Sequence, residues 1–174
     1  MTTFIEFNFH AYMLDCATRL KELQHSQSNP RYFEANTVAD MQELLNNIGV
    51  AKYPAIVTLS SIKGRVGDEK TGNNYLDHPF HTGFIITSPM QGSTDAETIR
   101  LAKIEAKSIL FKIIAKMRHD RRRALFGLNF LNLTSIPYQE IGPLGAGSYG
   151  VMFNFENTQP VALEHNTNDW IPEE

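Results

Sequence analysis

Cysteine is all but missing from this chain: Cys16 is the only one in 174 residues, so no disulfide can close within it. A lone thiol suits a reducing compartment. Cys16 lies among apolar residues in AYMLDCATRL, where a small core side chain is expected and not a nucleophile, because reactive thiolates need a cationic, partly open setting. Long apolar runs are lacking as well. None approaches the ~18 residues of a membrane span, so no membrane partner is expected. The opening MTTFIEFNFHAY has no basic stretch and is broken by Glu6, Asn8 and His10, unlike a secretory leader. Strong charge of one sign is also absent. The net charge is −3, which argues against general affinity for nucleic acid.

What is present is an ordinary globular composition, 42% hydrophobic and 20% charged. The length suits one domain, expected over residues 1–158, with 159–174 as an extended tail. Phe9, Tyr12, Met13, Cys16, Ala17, Leu20 and Leu23 recur at helical steps and predict a first helix from about Phe7 to Gln24. RYFEAN reads as a short extended piece. Thr37 or Asp40 is a candidate cap for a second helix that Gly49 would stop. YPAIVTLSSIKG and PFHTGFIITSP read as strands. The second would place Phe80, Thr82, Phe84 and Ile86 on one face and His81, Gly83, Ile85 and Thr87 on the other. The polar stretch between them, residues 63–78, reads as a long loop.

Thr94 and Glu97 spell a capping box for a long helix. Ile99, Ala102, Ala106, Ile109, Ile113 and Met117 trace its apolar stripe, and Leu101, Ile104, Leu110 and Ile114 widen it. A stripe that wide suits a helix lying across a sheet or covered by a second surface. TSIPYQEI and SYGVMFNFEN read as two closing strands joined by GPLGAG, with Tyr149, Val151, Phe153 and Phe155 pointing inward. The expected class is α+β: an antiparallel or mixed four-stranded sheet, with the long helix and the N-terminal helix packed on one face.

Gly145, Gly147, Gly150 and Val151 reproduce the spelling of the protein-kinase phosphate loop. Only 24 residues follow Gly150, and the counterpart of the phosphate-pairing lysine is Glu164 in VALE. A dinucleotide site would need the glycines to open a helix, and here they open a strand. A turn that uses glycine's backbone freedom is the expected role. Asp77, His78 and His81 lie close in sequence, but Pro79 intervenes and a zinc site needs three or four converging ligands. No metal, cofactor or catalytic set is expected, since no Ser–His–acid order stands out and Asp68/Glu69 sit in a charged loop.

The basic run Lys116, Arg118, His119, Arg121, Arg122 and Arg123 closes the long helix. Cations there complement the helix dipole, but six basic or titratable residues in eight positions exceed what capping needs. Arg118, Arg121, Arg122 and Arg123 are therefore candidate interface residues, with Lys63, Arg65 and Lys70 of the long loop. Solvent, a protein partner and nucleic acid all remain open as what they meet.

The order of parts resembles that of the tail-terminator or tail-completion proteins of long-tailed bacteriophages. The correspondence runs from the N-terminal helix through Tyr53–Leu59, the long hairpin loop and Phe80–Thr87 to the helix Thr94–Met117 and the strand pair ending at Phe155. The resemblance implies a homomeric ring, commonly a hexamer, that caps a tail tube and meets the head connector. It implies a virion protein assembled in the bacterial cytoplasm, with non-specific contact to passing DNA, no cofactor and no catalytic residues. Two other readings stand beside it. One is an enzyme or small-ligand binder using a pocket beneath the long helix, with Tyr138, Glu140, His78 or His81 as contacts. The other is a nucleic-acid-binding accessory protein that works through Arg121–Arg123.

Overall fold

A computed structural model describes residues 7–47, 53–60, 63–68, 75–88, 95–128 and 131–161. Its elements in chain order are α1 (Phe9–Arg19), β1 (Tyr32–Ala35), α2 (Val38–Asn47), β2 (Ala55–Leu59), β3 (Val66–Asp68), β4 (Tyr75–Asp77), β5 (Phe80–Thr87), α3 (Ala96–Arg122), β6 (Tyr138–Leu144), β7 (Ser148–Glu156) and β8 (Gln159–Val161). The class is α+β, as the sequence patterns imply. The main sheet has five strands in the order β1-β2-β5-β7-β6 and not four. The addition is β1, the extended piece around Tyr32, which pairs parallel to β2 while every other pair in this sheet is antiparallel.

Alternation along the strands sorts side chains to two faces. Ile56, Ile85 and Val151 align across β2, β5 and β7, and so do Val57, Phe84 and Met152 on the other side. The first face carries the larger core, where Ile85, Val151, Phe153 and Phe155 meet Phe9, Tyr12 and Met13 of α1 and Ile109, Ile113 and Met117 of α3. Both helices therefore lie on one face. The second face carries a smaller core of Val57, Phe84 and Ile86 under Met41 and Leu45 of α2. Burying a side chain of this kind stabilises the fold by roughly 1.5–3 kcal/mol.

Local chemistry sets the helix ends. The Asn8 side chain accepts from the Ala11 N–H at 2.9 Å and starts α1. The helix stops at Arg19, earlier than its periodicity suggests, because Leu20 turns to extended backbone (ψ 126) and Gln24 has φ 50. Leu23 still reaches the core, from a turn and not from a helix. Both candidate caps of α2 act together: the Thr37 N–H donates to the Asp40 carboxylate and the Asp40 N–H to the Thr37 hydroxyl, at 3.0 and 3.1 Å. Gly49 and Thr94 lie outside the described residues. For α3 the capping side chain is Asp95, which accepts from the Thr98 N–H at 3.1 Å, and Glu97 bonds Arg100 instead.

The connection expected as a loop between β2 and β5 contains the antiparallel hairpin β3–β4. β8, at the start of the segment read as a tail, adds a third strand to it. The glycine run does join the last two strands, as a single 3-10 turn over Gly145–Gly147. Its neighbours account for two of its glycines. A Cβ at Gly150 would come within 2.0 Å of the Ile85 carbonyl oxygen, and one at Gly145 within 2.5 Å of Asn46 Oδ1. At Gly147 the requirement is conformational, with φ +73.

Gly150→Ala should therefore destabilise the fold by about 2 kcal/mol or more, because a backbone atom must move to admit the methyl. Gly147→Ala, facing open space, should cost about 1 kcal/mol through its φ alone. Urea unfolding of the two variants checks the order.

Candidate interface at the end of the long helix

The last turns of α3 separate charge by direction. Asp120 falls three residues after Met117 and seven after Ile113, in phase with the buried stripe, and is itself buried. Its carboxylate accepts from the Tyr12 hydroxyl at 2.8 Å and from the Lys116 ammonium. Lys116 also lies 3.3 Å from Asp15 and over the rings of Tyr12 (4.8 Å) and Phe126 (5.2 Å). Burial pushes the Asp120 carboxyl up, but the hydrogen bonds from Lys116 and Tyr12 and the lysine charge outweigh it and hold it below the usual range. The Tyr12 hydroxyl is held protonated, chiefly by burial. This knot ties α1 to α3.

Cys16 lies beside it. Its thiol is buried and pushed up to about 12, mainly by desolvation, against the opposing pull of Lys116. It is a core residue, as its apolar setting suggests.

The chain then reverses sharply. Ala124, Phe126 and Gly127 have φ of 52, 58 and 70, left-handed positions that are costly for the first two residues. The turn brings Phe126 back against Tyr12, with ring centroids 5.3 Å apart. The remaining basic residues point outward. Arg118, Arg121 and Arg122 line a cleft of about 660 Å³ whose other wall is Leu133 and Thr134. Among the described residues none of Arg118, Arg121, Arg122 and Arg123 forms an ion pair, whereas Lys116 in the same run is fully engaged.

The other sequence candidates lie elsewhere. Lys63 lines a separate cavity of about 660 Å³ over the second face, with Val38, Phe80, Met152 and Asn154. Arg65 lies 3.6 Å from Glu156, which also pairs with His78 at 3.1 Å. Lys70 is outside the described residues. No contact among the described residues joins these loop cations to the arginines of α3.

The contacts suggested for a pocket beneath α3 do not converge either. Glu140 lies 3.7 and 3.8 Å from Lys103 and Lys107, and Tyr138 sits edge-on to Phe111. His78 is engaged by Glu156, while His81 is buried against Phe9 and Phe7. A cavity of about 230 Å³ does open between α1 and α3, lined by Cys16, Leu20, Lys112 and Ile113 among others, and none of Tyr138, Glu140, His78 and His81 lines it. Among the described residues no group of three or more metal-ligating side chains gathers, and no helix is long and apolar enough to cross a membrane. No family model matches the chain, and no curated protein matches it in sequence.

His81 is displaced from the ordinary imidazole range. Among the described residues neither ring nitrogen has a hydrogen-bond partner. Burial, aided by His10 and opposed by Asp77, lowers its pKa from 6.5 to about 4. Between those values the unfolded chain binds a proton that the folded one refuses. Stability from this group is therefore present above pH 6.5 and lost as the pH falls towards 4, by on the order of 3 kcal/mol. His81→Leu should flatten this part of the stability curve, as read by urea unfolding between those pH values.

Proposed function

We propose that this chain is a structural assembly protein that works as a homo-oligomer, and that it is a ring-forming tail terminator of the kind its order of parts resembles. The observation that carries the reading is the arginine cluster beside the cleft at the end of α3, without an ion pair among the described residues. Four cations held on one rigid helix end, in a chain of net charge −3, suit an acidic surface on a neighbouring copy. Such a head-to-tail contact closes into a ring when its rotation permits. On this reading the ring, commonly a hexamer, caps a tail tube and receives the connector, and the protein resides in the virion after assembly in the bacterial cytoplasm. The absence of converging titratable groups among the described residues favours assembly over the small-ligand and enzyme readings.

Native mass spectrometry over a concentration series should give a closed multiple of the protomer mass that binds tail tubes. A chain that stays monomeric throughout and ignores tubes overturns the proposal.

The same arginines favour a second role, contact with phosphates without sequence preference. Duplex DNA binding should then weaken steeply with added salt, and replacing Arg121, Arg122 and Arg123 by Ala should lower the salt slope by about three. Binding with no salt dependence excludes this role and leaves the assembly reading in place.

A further inference from the structure

α3 carries a second apolar line, on its exposed side, where Phe111 also meets the exposed ring of Tyr138 edge-on. Leu101, Ile104 and Phe111 are exposed at 53%, 41% and 50%, and Ser108 and Ala115 on the same line are exposed too. The steps between these five residues alternate three and four, the spacing of a helix–helix seam. On a helix of about 3.6 residues per turn this line lies opposite Ala106, Ile109 and Ile113, which face the core. Continued at the same spacing, it starts at Glu97 and ends at Arg118 and Arg122, all exposed.

We infer that a second copy of this chain packs antiparallel along this line, α3 against α3, about a twofold axis. A twofold contact requires a surface that complements itself, and this one does when reversed. With Ser108 set opposite Phe111 of the second copy, Ile104 falls opposite Ala115. Large meets small at both layers, so the helices can approach closely without a void. The next layer sets Leu101 against Arg118, whose aliphatic stem can cover it. The outermost sets Glu97 against Arg122, acid on base, at both ends of the seam. Parallel pairing would stack Phe111 on Phe111 and Arg122 on Arg122, and would align the helix dipoles unfavourably. The arginines have no competing ion pair among the described residues, and Glu97 is engaged by Arg100 of the next turn at 2.7 Å in an exposed pair of little worth.

This inference rests on the proposed homo-oligomer and gives Arg118 and Arg122 to the seam, leaving Arg121 and Arg123 for the head-to-tail contact. A ring is built from head-to-tail contacts, so a twofold seam either pairs two rings or forms a dimer without one.

The test is sedimentation velocity and native mass spectrometry of the full chain and four variants, with circular dichroism to confirm folding. The wild type should hold an even number of protomers, and Phe111→Glu should halve its mass. Glu97→Arg and Arg122→Glu should each weaken association roughly three- to tenfold. The double variant E97R/R122E should recover to near the wild-type constant, because the charges then pair with reversed sign. Single reversals without effect, or a double variant whose losses simply add, overturn the antiparallel seam. A ring of any number that is indifferent to Phe111→Glu overturns the seam but leaves the ring reading standing. A monomer at every concentration overturns both.

Discussion

The pairing of β5 with β7 is the constraint on which the rest of the molecule depends. Eight residue pairs run from Phe80↔Glu156 to Thr87↔Tyr149, and two glycines hold the strands close. Gly150 lies against the Ile85 carbonyl, and the ring of Phe153 occupies the space where a Cβ of Gly83 would be, 2.4 Å away. This register decides what each helix can cover. A slip of one residue would turn Phe153 and Phe155 away from α1 and α3 and bring Met152 and Asn154 beneath them, exchanging the two cores. The steric fit at the two glycines resists that slip.

Charge on α3 is sorted by the same geometry. The sheet fixes which side of α3 is buried, and Asp120 falls on that side while the arginines do not. The buried acid is tolerated because Tyr12 and Lys116 supply its hydrogen bonds; without them, an uncompensated buried carboxylate would cost several kcal/mol. Lys116 is thereby withdrawn from the basic run. The charge that a partner meets at this end is carried by guanidinium groups, which are suited to planar, two-pronged contacts with carboxylates or phosphates.

Much of the fold was legible in local patterns. Alternation in Phe80–Thr87 and Tyr149–Phe155 assigned faces that the structure keeps, and the periodicity of α3 located its buried side. The role of β1 was not legible, because its four residues gain their identity as a strand only from parallel pairing with β2, a long-range contact with no local signature. The early end of α1 was missed for a related reason: Leu23 obeys helical spacing but reaches the core from a turn. At the candidate interface, the basic run could be read but its division could not. Asp120 stands among basic neighbours that hide it, although its phase with Ile113 and Met117 marks it as interior. Lys63 and Arg65 shared only a charge with the arginines, and charge carries no information about place.

The separation of β5 and β7 in sequence also has a consequence for time. β7 lies between β5 and β6, yet α3 and β6 both come between Thr87 of β5 and Ser148 of β7 in the chain. While the chain is being synthesised, β5 waits with an open edge, and α3 with only part of its floor, until β7 follows. β8, which completes the small sheet with β4, emerges later still. Folding of the main sheet is therefore a late event, governed by contacts distant in sequence and slow to form. Until it happens, apolar strands and an apolar helix are exposed together, a state prone to aggregation. A protein ordered this way profits from a neighbour, or a chaperone, that covers those surfaces until its central strand arrives.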